Sequence, residues 1–184
     1  VQAVYVYAAS FHGKKLLALG GNSGNPIFDW FIGRELNPRI GEFDIKTFNE
    51  LRPGLILWAL LDISCVCHQY TKFGWVSDSI VLVTLFHIWY IVDSLINEST
   101  ILTQMDITTD GFGFMLSVGD LAWLPFTYCL QARFLAFHPI HLGWLGVLAI
   151  LAVQFTGYYI FRVANLEKNE FRHGRNPKGT YAMR

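Results

Sequence analysis

Apolar and polar positions alternate in long blocks along this chain, with no short period. Residues 1–11 are apolar and aromatic but fall short of the ~20 residues a helix needs to cross a bilayer. They are expected to be the tail of an earlier span. Residues 12–52 are polar and broken by glycine and proline, and four further apolar stretches follow at 53–70, 76–96, 111–137 and 142–163. The last is the most uniformly apolar, whereas the third is interrupted by Gly119, Asp120 and Pro125. The pattern predicts an all-α fold: an incomplete polytopic membrane helical bundle of four full spans plus the tail of a preceding one. A re-entrant third stretch would change the parity of that count.

The polar block is not an ordinary linker. Gly20, Gly21, Gly24, Gly33 and Gly41 allow close backbone approach, Pro26 and Pro38 fix direction, and Asn22, Ser23 and Asn25 favour turns. Phe28, Trp30, Phe31 and Ile32 sit among them, and such side chains are costly to expose, so an ordered loop packed on the membrane domain is expected. Asp44, Ile45, Phe48 and Leu51 recur at helical spacing and predict a short interfacial helix at its end.

Composition agrees with a membrane protein: 53% of residues are hydrophobic, 16% aromatic and only 15% charged. The formal net charge is zero, so overall charge offers nothing to nucleic acid. Its distribution is more telling. If all four stretches cross, one side receives residues 12–52, 97–110 and everything after Phe161, and with them every Lys and Arg except Lys72 and Arg133. Positive charge marks the cytosolic side, so the 12–52 loop and a basic tail at 164–184 are both expected there.

Cys65, Cys67 and Cys129 lie in apolar runs without metal-ligand spacing, and His12, His68, His87, His138, His141 and His173 are scattered, so no metal site is expected. No Gly-x-Gly-x-x-Gly follows a strand, which argues against a Rossmann domain. The first residue is Val, the chain reads as a fragment, and no signal peptide is identifiable.

Several polar groups fall inside the apolar stretches. Asp120 lies with Thr127, Tyr128 and Gln131 in the third, where a charge costs roughly 2.5–3.5 kcal/mol on insertion scales. It must face a ligand pocket or a hydrogen-bonded helix contact. Tyr90 and Asp93 are one helical turn apart; an acid beside a phenol suits proton donation in a dry pocket, although tyrosine also collects at membrane interfaces. Lys168 and Arg172, at i and i+4, share a helix face and suit a phosphate dianion or anionic lipid headgroups.

Three segments resemble one family. Gly24-Asn25-Pro26-Ile27-Phe28-Asp29-Trp30-Phe31-Ile32-Gly33-Arg34-Glu35-Leu36-Asn37-Pro38-Arg39 is similar to the first signature of the sterol reductases, a family that includes the Δ14-sterol reductases, the Δ7-sterol reductases and the lamin B receptor. Phe28 departs from the Tyr or His usual there. Residues 102–133, with Asp106-Ile107-Thr108-Thr109-Asp110-Gly111-Phe112-Gly113-Phe114, resemble the Δ14 branch, and together with residues 49–58 they look most like its fungal members. The third segment, 157–172, ends in Lys168-Asn169-Glu170-Phe171-Arg172.

The resemblance implies NADPH-dependent reduction of the C14=C15 double bond of a sterol intermediate in the endoplasmic reticulum membrane. An acid protonates the alkene and hydride from the cofactor completes the reduction. By the same resemblance, Lys168 and Arg172 contact the NADPH phosphates and Tyr90 lies beside the substrate. Asp93 is its neighbouring acid, and Asp120 is expected to contact the sterol. The implied partners are a sterol substrate and the lipid bilayer, with no nucleic acid; the resemblance implies no oligomeric state. Family members continue with Trp-Trp-Gly and Arg-His elements that this chain lacks, and residues 178–184 do not resemble them. The expectation is a 184-residue chain that does not reduce sterols by itself. A lamin B receptor-like scaffold and a membrane transporter are the alternatives, the second explaining intramembrane acids without explaining residues 24–39.

Overall fold

The computed structural model describes residues 1–175. Residues 176–184, including Lys178 and Arg184 of the expected basic tail, lie outside the described residues.

The chain opens with helix α1 (Gln2–Ala9) and enters the polar block through a 3-10 turn at Leu19–Gly21. Helix α2 (Pro26–Ile32) begins where the sequence says it should: Asn25 Oδ1 accepts from the amides of Ile27 and Phe28, and Pro26 occupies the first turn. A two-stranded hairpin, β1 (Arg39–Ile40) and β2 (Phe43–Asp44), turns at Gly41 and leads into α3 (Ile45–Leu51), capped by Asp44. Caps, turns and buried polar bonds give the block its shape; of the residues expected to pack, Trp30 and Ile32 are half-buried while Phe28 and Phe31 stay exposed, and α3 is the short helix expected at its end.

Asp29 organises that block. It is buried, and its carboxylate accepts from the Ser23 amide at 2.8 Å, the Ser23 hydroxyl at 2.7 Å and the Gly24 amide at 3.1 Å. Burial by itself would raise this carboxyl, but the Ser23 and Gly24 bonds and the Arg34 charge outweigh it and hold the group below its ordinary value. Arg34 donates to the Ser10 carbonyl and lies 4.2 Å from the Phe11 ring centroid, fastening the block to α1. Glu35 is buried and paired with Lys15 at 3.2 Å.

Two long helices follow, α4 (Pro53–Phe73), ended by Gly74 in the left-handed region, and α5 (Asp78–Ile96). After the short helices α6 (Glu98–Ile101) and α7 (Met105–Thr108), the interrupted apolar stretch forms four pieces. These are α8 (Phe114–Val118), a π-helical turn at Gly119–Trp123, α9 (Leu124–Tyr128) and α10 (Leu130–Phe137). Helix α11 (Gly143–Arg172) closes the described chain and has no buried residue. By length and composition, three helical runs suffice to cross a membrane: Ile45–Phe73, Asp78–Ile96 and Gly143–Arg172.

The broken stretch nonetheless travels the length of α4. At one end the Asp120 carbonyl lies on Gly54, where an added Cβ would sit 2.0 Å from the oxygen. Midway, Cys129 packs with Leu55, Trp58 and Ile91. At the other end the buried Gln69 donates to the Leu135 carbonyl at 2.7 Å and accepts from the Ser77 amide at 2.6 Å. Close backbone approach and buried hydrogen bonds are what hold helices together where lipid tails remove the usual apolar driving force. Neighbouring passes thus alternate in direction. The 138–142 turn meets the 74–77 turn through Trp75 stacked on His141 and through Leu142 N–H to Asp78, while the 12–52 block, α6, α7 and the end of α11 gather at the opposite end.

Candidate functional site

Tyr90 lines three cavities: one of about 200 Å³ shared with Trp89, Asp93 and Tyr158 between α5 and α11, and two others that differ in character. The smaller of these two, about 220 Å³, is polar and opens among α3, α5, α7 and α11, where Glu50, Asp93, Asn97, Asp106 and Arg162 line it. The larger, about 500 Å³, lies between α4, α5 and the 111–137 stretch, lined by Trp58, Phe86, His87, Tyr128 and Gln131. Beside them runs an apolar cleft of about 320 Å³ between α5 and α11, walled by Leu85, Trp89, Val92, Phe155 and Tyr158. These volumes fall near or within the range of small-molecule sites.

Asp93 shares the polar cavity with Tyr90, but its oxygens are committed. The Tyr158 hydroxyl donates to Oδ1 at 2.9 Å, Asn97 Nδ2 donates to the same oxygen at 3.1 Å, and Arg162 Nη1 donates to Oδ2 at 3.2 Å. Arg162 also donates to Asn97 Oδ1 at 2.6 Å. A carboxylate so engaged orients its neighbours and joins α5 to α11. Asp120 is placed elsewhere: it is the second residue of the π-helical turn, within electrostatic reach of Asp106 and Lys46, and it does not line these cavities. Lys46 is buried and donates to the Asp110 carbonyl, so it braces the 102–113 segment.

Lys168 and Arg172 lie in the last two turns of α11, which stays helical through both, so their side chains do share a face. At 1.5 Å per residue they sit roughly 9 and 15 Å along the axis beyond Arg162. Lys168 is half-buried and Arg172 exposed. Tyr90, Asp93 and the end of α11 therefore occupy one end of the bundle. Tyr128 and Gln131, noted in the sequence for their polarity, do reach the larger cavity.

Sequence reasoning missed Asp62 and Arg162 as members of the site. Asp62 is fully buried in α4, with Oδ2 at 2.6 Å from His87 Nδ1 on α5. An acid in the middle of an apolar span and a histidine in the next one were the available signal, but their pairing needs the packing of α4 on α5.

Comparison with known proteins decides the family. A sequence model of the ergosterol biosynthesis ERG4/ERG24 family matches residues 1–183. The chain belongs to the ERG4/ERG24 family. The Delta(14)-sterol reductase erg24 of Schizosaccharomyces pombe is 64% identical over 177 residues, covering 96% of this chain and 42% of that protein. The Delta(14)-sterol reductase ERG24 of Saccharomyces cerevisiae is 56% identical over 94% of this chain and 42% of its own length. The Delta(14)-sterol reductase of Ascobolus immersus is 57% identical over 92% of this chain and 41% of its own. The chain thus spans about 42% of the length of the ERG4/ERG24 relatives it matches. Their names attach the family to sterol biosynthesis, and the long apolar helices make this member a multi-pass membrane protein.

Proposed function

We propose that this chain forms part of a Δ14-sterol reductase of the endoplasmic reticulum membrane, one that reduces the C14=C15 double bond of a sterol with NADPH. One observation carries the reading: Tyr90 lines both a polar cavity at the basic end of the bundle and a wide aromatic cavity deeper within it. A membrane reductase for a lipid needs that arrangement, because a water-soluble cofactor and an apolar substrate must meet at one place.

The residues present fit the cofactor. Lys168 and Arg172, one turn apart on α11, supply a point charge and a guanidinium fork for phosphate on the side where the 12–52 block gathers. When bound, NADPH supplies the hydride. Tyr90 presents a phenol toward the substrate and Asp93 holds α5 and α11 in register through Arg162 and Tyr158, while Asp120, within electrostatic reach of Asp106 and Lys46, stays on the polar-cavity side. Trp58, Phe86 and Trp89 exclude water from the reacting carbons. The sequence units follow the same reading: one membrane domain, with residues 12–52 and the tail from 164 onward in the cytosol.

The test is a chimaera in which these residues replace the matching stretch of the S. pombe relative, expressed in a strain lacking Δ14-sterol reductase. Loss of accumulated Δ14 sterols is expected; persistent accumulation with normal expression would refute the reading. Membranes holding only the 184-residue chain are expected to form no product with NADPH and a Δ14 sterol.

A further inference from the structure

Asp62 and His87 form a pair that the sterol reading does not use. Asp62 is 0% exposed in the middle of α4, and the imidazole of His87 meets its Oδ2 through Nδ1 at 2.6 Å. The second oxygen, Oδ1, is buried with no partner among the described residues. An acid kept at such a site is costly and, within a membrane, functional by default. Trp58 packs against the His87 ring at 4.6 Å between centroids with the planes tilted by 49°, and also touches Tyr128 and Tyr90, so the imidazole lies between a carboxyl group and an indole. His87 also lines the cavity of about 500 Å³. Among the described residues on that wall, His87 is bonded to a buried carboxyl side chain.

The hydrogen-bond logic of the pair is directional. A carboxylate only accepts, so His87 Nδ1 donates, and in the neutral imidazole Nε2 is left as an acceptor. That nitrogen is bonded to no other described residue. Tyr90, Tyr128, Gln131 and Gln154 also line this cavity and each can donate, so the discrimination is local: where a ligand oxygen faces His87 Nε2, a pure acceptor takes a hydroxyl and repels a ketone. We infer that this cavity binds a ring lipid by its hydroxyl, with His87 Nε2 accepting from it and Asp62 fixing the tautomer that allows this. The inference rests on the sterol reading and adds the polarity of recognition to it.

The experiment measures binding of cholestanol and of its 3-ketone, cholestanone, to the 184-residue chain in lipid nanodiscs. The two differ only in that oxygen. The unaltered chain is expected to prefer the alcohol about tenfold, the worth of one hydrogen bond in a dry site. Asp62→Leu removes the acceptor that fixes the tautomer, so the alcohol preference is expected to fall. His87→Phe keeps a ring against Trp58 and abolishes the preference. Equal binding of both sterols to the unaltered chain, which requires no variant to fold, overturns the assignment while leaving the sterol reading standing. Retention of the full alcohol preference by folded Asp62→Leu also overturns it. Saturable binding of neither sterol overturns the assignment, while the chimaera decides the sterol reading separately.

Discussion

Arg162 and Asp93 tie the last helix to the bundle, their side chains meeting at 3.2 Å with only 17% and 12% of each exposed. Helix α11 has no buried residue of its own, so this pair, with Tyr158 and Asn97, carries much of its attachment. Removing one partner of a buried pair leaves the other uncompensated. Arg162→Ala is expected to destabilise the α5–α11 contact by about 3 kcal/mol. Tryptophan fluorescence of detergent-solubilised protein during thermal unfolding would show it, and Arg162→Lys should recover only part of the loss.

Gly111 makes a sharper prediction. A Cβ there would lie 1.7 Å from the Gly33 carbonyl oxygen, and the obstruction is backbone, which cannot swing aside. Gly111→Ala should separate the 24–39 block from the 102–133 segment and prevent stable folding, seen as rapid proteolysis in membranes. Gly20→Ala is the control: no atom lies within 4 Å of its Cβ position and its backbone carries no positive φ, so protease resistance should be unchanged.

The contrast between those glycines shows what the sequence could and could not reveal. Hydropathy located α4, α5 and α11 because a run of apolar residues needs no tertiary information to be recognised. It also flagged the break at Gly119, Asp120 and Pro125, which became the π-helical turn and the start of α9. That the broken segment still runs beside α4 from Gly54 to Gln69 depends on contacts more than 60 residues apart, such as Gln69 with Leu135 at a separation of 66. For the site, Tyr90 and Asp93 were visible through helical spacing, but the partner that occupies Asp93, Arg162, lies 69 residues later on another helix. Asp62 was hidden for the same reason: its meaning comes from His87, 25 residues away.

Asp29 should make the signature block acid-labile. Its folded carboxyl lies below the ordinary value of 3.8, so its ionised form stabilises the fold above the unfolded value, and that contribution is lost as pH falls through the lower folded value. Hydrogen exchange of residues 22–33 should stay slow down to about pH 4 and accelerate below it. Asp29→Asn should abolish that acid-dependent step and exchange faster at neutral pH, since Ser23 and Gly24 lose a charged acceptor. An unchanged pH profile in the variant would count against this role for the carboxylate.

Lys168 and Arg172 are expected to act on cofactor binding and not on the sterol. In the chimaera, Lys168→Ala or Arg172→Ala should raise the KM for NADPH about tenfold each, the worth of one charged hydrogen bond, with the sterol KM unchanged. If these side chains instead hold anionic lipid, the NADPH KM will not move, and the loss will appear as weaker retention in membranes rich in acidic lipid.

The cofactor proposal finally requires that the end of α11 face the compartment that holds NADPH. Helix directions place the 12–52 block and the end of α11 at one end of the bundle, and the 138–142 turn at the other. Single cysteines at Lys14, His138 and His173, in a chain with Cys65, Cys67 and Cys129 replaced by alanine, turn this into a labelling experiment on sealed microsomes. Positions 14 and 173 should react with an impermeant maleimide added outside, and position 138 only after the membrane is opened. Labelling at 14 but protection at 173 would put Lys168 and Arg172 beyond reach of the cytosolic nucleotide. Protection at both with labelling at 138 would invert the bundle. Either result removes the physical basis for assigning phosphate contacts to α11, because no rearrangement of side chains carries a charge across a bilayer of roughly 30 Å.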